Sequence, residues 1–108
     1  MDFEVKTIAE FERSFKKLLK KYPSLKNDLK KLIGELEKNP FTGIALGNGF
    51  YKIRITITSK GRGKSGGGRI ITCVKILRNT VFLAAIYDKS EKGSLSDSEL
   101  KLLAKQIS

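Results

Sequence analysis

The chain has no histidine and no tryptophan, and it has one cysteine and two prolines among its 108 residues. Without histidine, the side chain that titrates nearest neutrality is missing, so the chemistry would fall to arginine, lysine and tyrosine. A single cysteine, Cys73, excludes an internal disulfide. It lies in the apolar run Ile70–Leu77, where a small packed residue belongs. One thiol and dispersed acids offer no metal-ligand spacing, so neither a metal nor another cofactor is expected. No apolar run approaches the roughly 20 residues of a membrane-spanning helix. The opening residues MDFEVKTIAEF carry early acids instead of the basic-then-apolar pattern of a secretory leader, so a cytoplasmic location is expected.

Acid is also absent from the whole of residues 38–87, a stretch that holds nine lysines and arginines. Over the full chain, 22 Lys and Arg stand against 11 Asp and Glu, a formal charge of +11. Such a surplus favours polyanionic partners: nucleic acid, an acidic protein or an anionic membrane. The length suits one domain, residues 1–108, with a single core.

Hydrophobic spacing gives the order of elements. Asp2 to Lys6 reads as a short first strand. Thr7-Ile-Ala-Glu10 reads as a capping box, and Ile8, Phe11, Phe15, Leu18, Leu19 and Tyr22 follow at helical spacing, which predicts a helix from about Ile8 to Lys21. Pro23-Ser24 breaks it, and Ser24 is placed to cap a second helix with the stripe Leu25, Leu29, Leu32, Ile33 and Leu36, ended by Asn39-Pro40. The outer faces of this hairpin carry Lys16, Lys17, Lys20, Lys21, Lys26, Lys30 and Lys31, either a solvated surface or a ridge that meets RNA.

Beyond a glycine-rich turn from Gly43 to Gly49, residues 51–58 alternate strictly: Tyr51, Ile53, Ile55 and Ile57 on one face, Lys52, Arg54, Thr56 and Thr58 on the other. Arg69–Leu77 and Val81–Tyr87 predict two further strands, with Asn79-Thr80 as the turn between them. Ser96-Asp-Ser-Glu99 is a second capping box, opening a short C-terminal helix. The fold class that follows is α+β: an N-terminal helical hairpin packed on a mainly antiparallel sheet, closed by a short C-terminal helix.

The segment KGRGKSGGGR, residues 60–69, contains the letters Gly-Lys-Ser of a nucleotide phosphate loop. That motif needs a glycine where Thr58 stands and a helix directly afterwards, whereas a strand follows here. Two readings stay open, a solvated hairpin connection and a cradle for an extended phosphate backbone made of glycine amides and nearby cations.

Several pieces together resemble toxins of the RelE/ParE superfamily in type II toxin–antitoxin systems, most of all the HigB-type and RelE-like branches. They are Phe11-Glu-Arg-Ser-Phe-Lys-Lys-Leu18; Asn39-Pro40 with Gly43; Gly47-Asn-Gly-Phe-Tyr-Lys-Ile-Arg54; Gly63-Lys-Ser-Gly-Gly-Gly-Arg-Ile-Ile71; and Tyr87-Asp-Lys-Ser-Glu-Lys92 before Leu95-Ser-Asp-Ser-Glu-Leu100. The resemblance implies a small toxin with a RelE-like fold, neutralised by a cognate antitoxin in a hetero-oligomer. It also implies metal-independent cleavage of mRNA in the ribosomal A site. ParE-like members instead poison DNA gyrase, and a non-catalytic protein that binds RNA or antitoxin is a third reading.

Cleavage of this kind needs a deprotonated 2′-hydroxyl, charge stabilisation at phosphorus and a proton for the 5′-oxygen. By the resemblance, Arg69 aligns with the arginine that contacts the scissile phosphate; its guanidinium can grip two phosphate oxygens and keeps its charge. Lys64 would reach the backbone or the transition state from the glycine loop. Tyr87 is a candidate for stacking or proton transfer, and Lys89 for protonating the leaving group. The alternation Val81, Leu83, Ala85, Tyr87 also allows Tyr87 to be a core tyrosine with a wet hydroxyl. Lys52, Arg54, Lys60, Arg62 and Lys92 complete the expected phosphate-binding set.

Overall fold

The computed structural model describes residues 2–60 and 67–107. Five strands form one sheet: β1 (Glu4–Thr7), β2 (Ile44–Gly47), β3 (Phe50–Ile55), β4 (Gly68–Lys75) and β5 (Thr80–Asp88). Their spatial order is β1-β5-β4-β3-β2. All neighbours run antiparallel except β1, which lies parallel to β5 with Val5 beside Val81. The helices are α1 (Ala9–Lys21), α2 (Leu25–Lys38) and α3 (Asp97–Ile107). The architecture is the α+β arrangement read from the sequence.

The α1–α2 hairpin covers one face of the sheet. Phe11, Leu18, Leu25, Leu32 and Leu36 meet Ile53, Ile55, Ile70, Val81 and Leu83 in the larger apolar cluster. Each such side chain removed from water contributes roughly 1.5–3 kcal/mol, which fixes the hairpin on this face. The opposite face is only partly covered. There Leu103 and Ile107 of α3 pack on Phe50, Ile71, Cys73, Ala84 and Tyr87.

A bulge decides which residues of β5 face which side. Ile71 pairs with Ala85 and Thr72 with Leu83, so Ala84 is an extra residue in β5. Val81, Leu83 and Ile86 therefore join the hairpin-side core, and Tyr87 joins the α3-side cluster. The expectation that Val81, Leu83 and Tyr87 share a face assumed uninterrupted alternation, and one inserted residue reverses it.

Other local differences have equally simple causes. The segment expected as a glycine-rich turn holds β2, entered through Gly43 at φ 105°, where an added Cβ would lie 2.4 Å from the Lys52 carbonyl oxygen. The first capping box does not form: the N-cap of α1 is Ile8, and the Thr7 hydroxyl donates to Glu12 instead. Ser24 stands at the N-cap of α2 in helical conformation without capping a helix amide; its hydroxyl donates to Asp28 Oδ2 at 2.8 Å. The second capping box does form: the Ser96 amide donates to Glu99 Oε1 at 2.8 Å, and the Glu99 amide to Ser96 Oγ at 3.2 Å. Strand β4 stops at Lys75, and a 3-10 turn, Ile76–Arg78, leads to Asn79 in the left-handed region before β5 begins at Thr80.

Candidate nucleic-acid interface

The three central strands bring Arg54, Arg69 and Tyr87 into one row. Arg54 pairs with Arg69 across β3 and β4, and Arg69 pairs with Tyr87 across β4 and β5. Cross-strand partners project to the same face, here the α3 side. Arg54 is exposed and Arg69 is buried, at 7% exposure. One guanidinium nitrogen of Arg69, Nη1, donates to the Gly68 carbonyl at 3.0 Å. Among the described residues no carboxylate lies within ion-pair distance of either arginine. Like charges directly opposite each other weaken a sheet, and the pair forms a cationic spot, unneutralised among the described residues, where β3 ends and β4 begins.

Tyr87 ends the row. Burial pushes its hydroxyl above the ordinary tyrosine range; the charges of Arg69 and Lys92 pull it down, Glu99 pushes it up, and the net shift is upward. It therefore keeps its proton at neutral pH, and it donates a long hydrogen bond to the Gly93 carbonyl, 3.4 Å.

The remaining expected residues separate into groups. Lys52 lies one row from Arg54, beside Ile71 of β4 and Ile44 of β2, half-buried. Lys89 is exposed in the turn after β5, and its amide donates to the Gly67 carbonyl at 3.3 Å, tying that turn to the end of the glycine segment. Lys92 pairs with Glu99 on α3 at 2.5 Å, so part of its charge is already answered. Lys60 is turned inward: its Nζ lies 2.9 Å from Asp88 Oδ1 and 5.5 Å from the centre of the Tyr22 ring, with the side chain 15% exposed. A lysine held in this way ties the start of the glycine segment to β5 and faces inward, where the sequence placed it among the solvent-facing loop cations. Arg62 and Lys64 lie outside the described residues.

Asp88 is the group that sequence reasoning missed. It is fully buried on the hairpin side and accepts hydrogen bonds from Lys60 Nζ (2.9 Å), the Tyr22 hydroxyl (2.9 Å), the Ser90 amide (3.0 Å) and the Ser90 hydroxyl (2.8 Å). Burial alone would raise its carboxyl, but the bonds from Lys60, Ser90 and Tyr22 outweigh it and hold Asp88 far below the usual carboxylate range. A second carboxylate, Asp28 of α2, accepts from the Thr58 amide (3.0 Å) and hydroxyl (2.7 Å), and Ser24 Oγ accepts from the Ser59 amide (2.8 Å). Residues 58–60, which lead into the glycine segment, are thus latched to the start of α2 and, through Lys60, to Asp88 at the end of β5. The available signal was position: Asp88 is the first acid after residues 38–87.

Two side-chain sets in the molecule could be asked to hold a metal, carboxylates and the thiol, but among the described residues no three His, Cys, Asp or Glu side chains come together. No described helix is long and apolar enough to cross a membrane.

Known proteins resemble this arrangement. The structure of an arginine-to-alanine double mutant of Escherichia coli toxin RelE in the free state superposes with a TM-score of 0.66 over 100% of both chains, at 17% identity. A metal-bound toxin from Helicobacter pylori matches with a TM-score of 0.51 over 83% of this chain and 98% of its own, at 22% identity. At these identities the likeness is one of fold. No curated protein sequence matches the chain. The profile of the family described as the RelE toxin of the RelE / RelB toxin–antitoxin system matches residues 10–108. With nearly its whole length covered by that profile and its fold shared with RelE, the chain belongs to the RelE toxin family.

Proposed function

We propose that the protein is a metal-independent, ribosome-dependent mRNA endonuclease that arrests translation in the cytoplasm, close to the HigB-type branch of its superfamily. The observation that carries this reading is the in-register pair Arg54–Arg69, two guanidinium groups without a carboxylate among the described residues. A bound phosphodiester relieves their repulsion, and it gains most when its own charge grows, as it does in the phosphorane formed by 2′-hydroxyl attack. Arg69 stabilises that charge; Arg54 and Lys52 hold the flanking backbone. Tyr87, which retains its proton, acts as hydrogen-bond donor or stacking surface and not as the base. Lys89 protonates the 5′-oxygen, solvent water takes the proton of the attacking 2′-hydroxyl, and Lys64 and Arg62 contribute from the glycine segment. Proximity supplies much of the rate, since the ribosome presents the RNA in line for attack. The family carries an antitoxin partner with it, and a chain of formal charge +11 suits an acidic one.

Purified protein mixed with ribosomes programmed with a defined mRNA tests the reading, with cleavage mapped by primer extension. Cuts in the A site, lost in Arg69→Gln, are expected. Intact A-site mRNA from a preparation that still arrests growth would turn the assignment toward a gyrase-directed or purely binding role.

A further inference from the structure

The loops beside the arginine row are tied to one residue. Strand β3 ends at Ile55, and a 3-10 turn, Thr58–Lys60, follows it. From that turn the Lys60 ammonium meets Asp88 Oδ1 at 2.9 Å. Strand β4 opens at Gly68, which pairs with Asp88, and the Gly67 carbonyl accepts from the Lys89 amide at 3.3 Å. Lys60 and Gly67, the described residues on either side of the glycine segment, therefore meet the same short piece of chain, Asp88-Lys89.

The turn after β5 is built on Asp88 as well. The Asp88 carbonyl accepts from the Glu91 amide (3.0 Å) and the Lys92 amide (3.2 Å), and its carboxylate accepts from the amide and hydroxyl of Ser90. That turn carries Lys89 and Lys92. It begins directly after Tyr87, the partner of Arg69, and the charges of Arg69 and Lys92 both act on the Tyr87 hydroxyl.

Packing alone does not call for a carboxylate at this point, because apolar residues of similar volume can replace a buried ion pair with no loss of stability. What apolar contacts lack is direction, whereas a hydrogen bond fixes where its donor sits. Four donors from three separate segments converge on the Asp88 carboxylate: the end of α1, the turn after β3 and the turn after β5. Their relative positions are set by it.

We propose that Asp88 is a positioning residue for RNA binding: it fixes the turn that carries Lys89 and Lys92 against the Arg54–Arg69 row, so that these four cations meet one RNA backbone together. Asp88 touches no RNA itself and acts through the lysines. The inference rests on the RNA-directed function proposed for the chain.

The variant Asp88→Asn/Lys60→Met tests it, since it removes the tie and leaves the net charge at +11, one acid and one base being lost together. Binding of a 2′-O-methyl RNA oligonucleotide of about ten nucleotides, which lacks the attacking hydroxyl, is measured from about 50 to 200 mM salt. The double variant should bind about tenfold more weakly than the parent. Its log K against log salt should be flatter by about 0.7–1.4, the share of one or two single-strand phosphate contacts. Ser90→Ala should move both quantities the same way by less, and Ser90→Thr, which keeps the hydroxyl, should restore them; this pair decides the outcome if the double variant does not fold. A-site cleavage by the double variant should fall by at least the same factor as binding. A parent protein that binds RNA without cutting it would end the endonuclease reading and leave the role of Asp88 intact. Equal affinity and slope in parent and variants would overturn the proposal and leave Asp88 a residue of stability alone, whatever the cleavage; so would a parent that does not bind the oligonucleotide.

Discussion

Replacing Asp88 by asparagine keeps the shape of the side chain and removes its charge, so the cost measures the buried carboxylate itself. In the native protein that group is fully buried and takes four hydrogen bonds, one from an ammonium whose side chain is 15% exposed. Asparagine can still accept from Lys60 and Ser90, and the Tyr22 hydroxyl can turn to accept from its amide. What disappears is the counter-charge of a nearly buried lysine. Removing one partner of such a pair costs about 3–5 kcal/mol, and the partial hydration of Lys60 favours the lower end. A loss of about 3 kcal/mol corresponds to roughly 12–24 °C in Tm for a domain of this size.

The effect has a sign in pH. The folded carboxyl titrates far below the ordinary aspartate value of 3.8. Between those two points the unfolded chain holds a proton that the folded chain does not, so stability falls as pH falls. The advantage of the parent over Asp88→Asn should be complete at pH 7 and shrink as acid carries the solution below that ordinary value. Urea unfolding of both proteins at pH 7 and at pH 3 reads this directly. Equal midpoints at pH 7, or a gap that does not narrow in acid, would refute the account. The double variant Asp88→Asn/Lys60→Met should recover part of the loss, because it also removes the stranded charge.

Arg69→Gln should abolish A-site cleavage while leaving the urea midpoint unchanged or higher, since it relieves the repulsion with Arg54; a collapse of the fold would contradict the idea of an unneutralised pair. Arg54→Gln should weaken RNA binding with little effect on the chemical step, and should flatten the dependence of log K on log salt by about 0.7, the share of one single-strand phosphate contact. Gly67→Ala should cost about 1–3 kcal/mol in thermal or urea melts, because Gly67 sits at φ 63° and an added Cβ would lie 2.7 Å from the Ile55 carbonyl oxygen.

Much of the architecture could be read directly from residue spacing. The 3.6-residue stripes of α1 and α2 and the strict alternation of β3 are local signals, and the structure keeps them because burial rewards the same faces. The signals that misled were short and polar. Thr7 and Ser24 had the chemistry of caps, but Glu12 and Asp28 offered their hydroxyls other partners. For the site, Arg54, Arg69 and Tyr87 were individually legible, whereas their alignment depends on strand register, a tertiary property. Lys60 looked like one more loop cation, and only the fold reveals that it lies beside Asp88, 28 residues further along the chain.

The extra residue at Ala84 has a consequence for how the chain tolerates change. Upstream of it, β5 is in phase with the helical hairpin; downstream, every side chain is turned over, so that Tyr87 reaches the arginine row while Asp88 drops into the interior beneath the other face. A single deletion at this point would exchange the two, burying a tyrosine where a carboxylate is needed and lifting a carboxylate up beside two arginines, where it would neutralise them. The cationic character of the surface and the anchoring of residues 58–60 therefore hang on the same one-residue offset, and neither can shift its register without the other.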